Sequence, residues 1–204
     1  ILHTNKIFCI GFQKTGTSSM GRALDHLGFR VCGAVGLKDP DIPTNIKRIA
    51  FDQVPNYDAF QDNPWPILFR ELDAQFPGSK FIMTRRDSAS WIRSVVRHFG
   101  STPHPMQQWI YGVPYPKGNE QIFLDRYRRH EDEVLAYFAN RPDDFLVIDI
   151  ESDNIWAPLT QFLSLKTPTV PFPHANKGGG GWKTVRWAKR RMRRIASRFT
   201  DLRE

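Results

Sequence analysis

Apolar positions along this chain fall into two alternating patterns: short unbroken runs, and longer stretches with helical spacing. The run Lys6-Ile-Phe-Cys-Ile-Gly11 ends at a glycine and predicts a buried strand. Beyond it Met20, Ala23, Leu24 and Leu27 recur at helical spacing, with Gly28 as the stop. Phe29–Cys32, Lys80–Thr84 and Phe145–Asp149 repeat the strand pattern. Helices are predicted at Pro66–Phe76 (closed by Pro77-Gly78), Ser88–Phe99, Glu120–Ala139 and Asn154–Leu163. Two stretches fit neither pattern. Residues 33–63 carry Pro40, Pro43 and Pro55 and predict an irregular excursion with one short helix or strand. Residues 100–118, rich in Pro, Gly and aromatics, predict either a substrate-facing loop or a small satellite core around Trp109, Tyr111 and Tyr115. Strands alternating with helices define an α/β protein, a three-layer sandwich around a central parallel sheet, with residues 1–204 as a single domain.

Composition narrows this little. The 204 residues are 40% hydrophobic, as in an ordinary globular domain, and no apolar stretch approaches the roughly 20 residues of a bilayer span. Cys9 and Cys32 lack metal-ligand spacing and are expected to be buried free thiols, compatible with a reducing, cytoplasmic setting. The chain opens Ile1-Leu2-His3 without an initiator Met, so an upstream piece is expected to have been removed. The net charge of +8 calls for an anionic partner, but much of it crowds into Lys183, Arg186, Lys189, Arg190, Arg191, Arg193, Arg194 and Arg198. These lie on a predicted basic helix at about 183–199, interleaved with Val185, Trp187, Met192, Ile195 and Phe199. Such a helix either packs on the domain or touches a membrane surface. No nucleic-acid motif accompanies the arginines, and nucleic acid is not expected as a partner.

The chemistry concentrates in Gly11-Phe-Gln-Lys-Thr-Gly-Thr-Ser-Ser19, where a strand turns into a helix. Glycines there let successive backbone N–H groups point at one anion, and the helix N-terminus adds partial positive charge. An ATP loop would read G-x-x-x-x-G-K-[ST]. Gly11 and Gly16 have that spacing, but Thr17 stands where the lysine belongs, and the lysine is at position 14. The loop therefore suits a phosphate without the ATP-Mg²⁺ arrangement.

Gln13-Lys-Thr-Gly-Thr-Ser18 after a strand resembles the 5′-phosphosulfate loop of sulfotransferases that use 3′-phosphoadenosine-5′-phosphosulfate. The wording is close to carbohydrate sulfotransferases and to a broad bacterial sulfotransferase-like family. A second element agrees. In that family a strand ends in Arg followed by Asn or Asp, and a serine eight residues beyond the Arg joins it on the donor's 3′-phosphate. Phe81-Ile-Met-Thr-Arg-Arg86-Asp87 with Ser94 fits this spacing. Independently of the family, an arginine at the carboxyl end of a strand faces the ligand crevice of an open α/β sheet. The competing reading makes Arg85 and Arg86 surface ion-pair partners of Asp87 or Glu71. A third stretch, Asn176-Lys177-Gly178 through Trp182-Lys183, resembles the family's C-terminal donor-binding segment, but Asn176 replaces the arginine and the spacing is one residue short.

The resemblance implies a P-loop nucleoside triphosphate hydrolase-like fold and sulfo transfer from the nucleotide to a hydroxyl acceptor, a carbohydrate or small metabolite, with no metal. It places Gln13, Lys14, Thr15, Gly16, Thr17, Ser18, Ser19, Arg86, Ser94, Lys177 and Gly178 on the donor. Lys14 would neutralise the leaving-group oxygen. The base is expected upstream of the Arg-bearing strand, where Asp62 stands 24 residues before Arg86; a partly buried carboxylate there gains a useful pKa. Its competing role is an N-cap for the helix near Pro64, and Asp52, His98 and His104 are the reserves. A P-loop kinase with Asp149 as a Mg²⁺ ligand and a non-catalytic anion- or membrane-surface module remain the alternatives.

Overall fold

The uninterrupted apolar runs form the middle of the molecule. In the computed structural model, which describes residues 5–174, they become β1 (Ile7–Cys9), β4 (Lys80–Arg85) and β5 (Phe145–Asp149). Two shorter strands, β2 (Val31–Cys32) and β3 (Ala59–Phe60), complete a five-stranded sheet in the order β2-β3-β1-β4-β5, every neighbouring pair parallel. Successive side chains alternate across the sheet, so each strand feeds two cores. Phe8, Ile10, Phe60, Phe81 and Met83 pack on one face with Phe69 and Leu72 of α3 (Phe69–Gln75) and Val134 of α6 (Glu120–Tyr137). Ile7, Cys9, Ala59, Ile82 and Ile148 pack on the other with Met20, Ala23 and Leu24 of α1 (Thr17–His26) and Leu159 of α7 (Trp156–Phe162). This is the three-layer α/β sandwich that the pattern predicts, and its sheet is parallel throughout.

The excursion at 33–63 holds more structure than its prolines suggest. It contains α2 (Ile42–Phe51), a 3₁₀ turn at Val54–Asn56, and β3, which pairs with both β2 and β1. Pro43 sits in the first turn of α2, where its missing N–H costs nothing, and Asp41 caps the helix by accepting from Thr44 N–H at 3.4 Å. The stretch 100–118 likewise contains a helix, α5 (Pro105–Tyr111), opening on a proline. Met106, Ile110 and Tyr111 are buried there beside Phe12, Trp91 and Val95 of α4 (Ser88–Phe99), and Phe123 and Tyr127 of α6. This third cluster lies over the loop after β1, so the satellite-core reading holds for Tyr111. The helix predicted from Pro66 begins only at Phe69, preceded by turns, with Leu68 as its N-cap. Cys9 and Cys32 are free and buried, and burial pushes their thiols up to about 12 and about 11.

Strand order places the loop Gly11–Ser19. The connection from β1 through α1 leads away to β2 at one edge, while β4 lies on the other side of β1. In open α/β sheets ligands bind outside the carboxyl ends at such a reversal. The segments leaving β1, β3, β4 and β5 at that end contain Gly11–Ser19, Gln61–Asn63, Arg86–Asp87 and Ile150–Asn154 respectively.

Candidate active site

Close packing fixes the start of the loop. A Cβ on Gly11 would lie 2.3 Å from Thr84 Oγ1 and 2.4 Å from Thr84 O, so only glycine lets β1 run this near the end of β4. Thr15 N–H donates to Phe12 O at 3.2 Å, closing a turn whose third residue is Lys14. Lys14 has φ 68°, a left-handed conformation that such turns normally reserve for Gly or Asn. Gly16, at φ 90°, then starts α1, and its missing Cβ leaves room for Ile150, which a methyl group would meet at 2.2 Å. The first hydrogen bond within α1 runs from Met20 N–H to Gly16 O, and no side chain caps the helix. The N–H groups of Thr17 and Ser18 therefore have no acceptor inside the helix and carry its positive end. These open donors are what an anion would occupy.

Asp62 comes to the same place from the end of β3. It too adopts a left-handed conformation, φ 71°. Ser164, with φ 54°, is the third non-glycine case among the described residues, but it follows the end of α7 and its N–H donates back to Gln161 O, an ordinary helix terminus. Lys14 and Asp62 terminate no helix, and backbone held in this region points to a site whose surroundings enforce it. Asp62 Oδ1 accepts the N–H of Asn63 at 2.8 Å, and Oδ2 accepts from Thr17 Oγ1 at 3.5 Å. Burial raises the Asp62 carboxyl above the ordinary carboxylate range, opposed by the Asn63 N–H, Lys14 and Thr17. Burial lowers the Lys14 ammonium; Asp62 opposes this, while Arg86 and Arg97 reinforce it. Lysine and carboxylate thus shift each other's ionisation without forming a direct ion pair.

A buried amide bridge ties both unusual residues down. Gln13 Nε2 donates to Tyr111 Oη at 2.5 Å, Gln13 Oε1 accepts from Asn63 Nδ2 at 3.2 Å, and Gln13 O accepts from Trp91 Nε1 at 2.9 Å. Gln13 adjoins Lys14 and Asn63 adjoins Asp62, so this one network spans both segments. Beneath it His130 Nε2 meets Ile10 O at 2.7 Å, and its ring stacks on Phe12 at 4.2 Å.

Several sequence expectations change accordingly. The Gln13 side chain is spent inside the protein and presents nothing to the crevice. The Thr15 hydroxyl, fully buried, donates to Phe12 O at 2.6 Å and shares a hydrogen bond with Thr84 Oγ1 at 2.7 Å; its N–H closes the turn, so neither group is open to a ligand. Ser19 is buried and Ser18 half-buried. Asp62 is not a helix N-cap, because α3 begins at Phe69. Arg85 and Arg86 do form ion pairs, but with Glu131 and Glu151, each at 3.0 Å. Asp87 instead caps α4 through Ser90 N–H at 2.8 Å. Arg86 lies close enough to depress Lys14. The Ser94 side chain, half-buried on α4, makes no hydrogen bond among the described residues. Among the reserve bases, His98 is lowered by burial and by Lys14, so it shares the lysine's surroundings; Asp52 is exposed and His104 N-caps α5. Asp149 Oδ1 accepts the Glu151 N–H at 2.9 Å. Lys177, Gly178 and the basic segment 183–199 lie outside the described residues. Sequence reasoning missed the positioning groups Asn63, Tyr111 and His130; an aromatic in a Pro/Gly-rich stretch was the available signal for Tyr111.

An open helix N-terminus, a lysine and a shielded carboxylate thus meet at the carboxyl end of a parallel sheet in an α/β protein. A family model described as "Sulfotransferase domain" matches residues 6–119 and 96–180, and the chain belongs to that family. It is 24% identical over 224 aligned positions to "Ava biosynthesis cluster protein M" of Aspergillus versicolor, covering 89% of this chain and 84% of that protein. Among the described residues no helix is long and apolar enough to cross a membrane.

Proposed function

We propose that this chain moves a sulfo group from 3′-phosphoadenosine-5′-phosphosulfate onto a hydroxyl of a carbohydrate or small metabolite. The observation that carries this reading is the convergence of Lys14, the open α1 N-terminus and Asp62 at one point of the crevice. The donor supplies an activated sulfo group on a phosphate leaving group. The N–H groups of Thr17 and Ser18 hold the 5′-phosphate end, Lys14 offsets charge on the leaving oxygen, and Arg86 with Ser94 holds the 3′-phosphate. Asp62 accepts the proton of the acceptor hydroxyl, a role suited to a carboxylate whose affinity for protons burial has raised. As the acceptor oxygen bonds to sulfur, the bond from sulfur to the phosphate oxygen breaks, so the nucleotide leaves as 3′,5′-adenosine bisphosphate. The buried thiols suit a reducing compartment.

Thermal protection tests the donor class. Adenosine 3′,5′-bisphosphate is expected to raise the melting temperature where ATP with Mg²⁺ does not. Protection by ATP-Mg²⁺ alone would overturn the proposal in favour of a kinase.

A further inference from the structure

The ion pair made by Arg86 differs from those that hold the domain together. Arg30 grips Asp58 through Nε and Nη2, and Arg141 grips Asp73 through Nη1 and Nη2. Their carboxylates are nearly sequestered, with 6% and 10% side-chain exposure. Arg86 touches Glu151 through Nε alone, at 3.0 Å, and the Glu151 side chain is 44% exposed. The guanidinium fork of Arg86 has no acceptor on Nη1 or Nη2 among the described residues.

The main chain under this pair is pinned. Tyr127 Oη accepts from Arg86 N–H at 3.2 Å and donates to Arg86 O at 3.0 Å, with the ring stacked on Trp91 at 4.3 Å. Glu151 is held by its own N–H on Asp149 Oδ1, and Ile150 N–H donates to Arg85 O at 3.1 Å. Only the two side chains are therefore free to separate. Beside them a cavity of about 410 Å³ is lined by Glu151, Ser152, Asn154, Trp156 and Phe172.

We propose that Glu151 is the built-in occupant of the Arg86 anion site and sets the affinity for the donor's 3′-phosphate. This rests on the reading of Arg86 as a 3′-phosphate ligand. A phosphate dianion offers the fork two oxygens where Glu151 offers one, so it displaces the carboxylate from Arg86. The displaced carboxylate stays nearby, and its repulsion weakens binding. Glu151 thus tunes the affinity of the site, holding the 3′-phosphate below the strength that an unopposed Arg86 would give it.

Calorimetric titration of the wild-type chain and Glu151→Gln with adenosine 3′,5′-bisphosphate and with adenosine 5′-monophosphate tests this. The variant alters one half-exposed surface side chain and leaves the loop residues untouched. The bisphosphate is expected to bind the variant roughly three- to tenfold tighter, with monophosphate affinity unchanged. Unchanged or weaker bisphosphate binding would show that Glu151 orients Arg86 rather than competing for it, and overturns the proposal. Equal tightening of both nucleotides overturns it too. Failure of the wild type to bind the bisphosphate at all would remove the donor reading, and the competition with it.

Discussion

His130 gives the clearest quantitative handle on how the loop Gly11–Ser19 is supported. Its ring is 1% exposed, stacked on Phe12, with Nε2 against Ile10 O at 2.7 Å. A carbonyl only accepts, so Nε2 carries the hydrogen and Nδ1 is left as a lone pair; Nδ1 is buried without a partner. Protonation would place a charge and an unmatched donor inside the core. Burial, with a contribution from Arg126, accordingly lowers this histidine from 6.5 to about 4. Between these values the unfolded chain binds more protons than the native one, so stability is full above the unfolded value and falls as the pH drops toward the folded one. The total is of order 3 kcal/mol, of which about 2 kcal/mol is lost by pH 5. Urea denaturation at pH 7.5 and pH 5 should therefore show a larger loss for the wild type than for His130→Gln, which removes the titrating group but keeps an N–H near Ile10 O. Parallel loss of stability in the two proteins would refute the reasoning.

Two further substitutions probe the network above it. Tyr111→Phe leaves Gln13 Nε2 buried without an acceptor, at a cost of roughly 1–3 kcal/mol; melting temperature and turnover should both fall, and an unchanged melting temperature would contradict the bond. Asp62→Asn should raise the melting temperature at neutral pH, because a carboxyl raised by burial destabilises the fold as the pH climbs above its ordinary range. The same change should cut transfer by roughly 10²–10⁴ and abolish the rise in rate with pH that tracks Asp62 ionisation; wild-type turnover would remove Asp62 from the reaction.

How much of this the sequence carried depended on unbroken apolar runs. β1, β4 and β5 were legible because each is an apolar run closed by glycine or a polar turn, and α1 because its apolar spacing begins directly after the loop. β2, equally short, was legible as the end of the run Phe29–Cys32, but β3 was not, because Ala59-Phe60 stands between Asp58 and Gln61 and forms no run; its identity comes from pairing with β1 and β2. α2 and α5 were obscured by Pro43 and Pro105, which interrupt a pattern but suit a first turn. In the site, loop wording and spacing pointed to Lys14, Thr17 and Asp62, which the fold brings together at one end of the sheet. The roles of Gln13 and Thr15 were not legible, since a motif fixes which residues occupy a loop but not which of their donors the fold has already used. Asn63, Tyr111 and His130 act through contacts 50 to 120 positions away in sequence, beyond any local pattern.

The most direct measurement is transfer of radiolabelled sulfo group from 3′-phosphoadenosine-5′-phosphosulfate to a panel of sugar, phenol and lipid hydroxyls, run with the wild type and Lys14→Ala. Transfer by the wild type is expected on at least one acceptor class, falling by roughly 10²–10³ in the variant while its melting temperature holds. Equal turnover by a folded Lys14→Ala protein would contradict the assignment of the loop lysine to the leaving group.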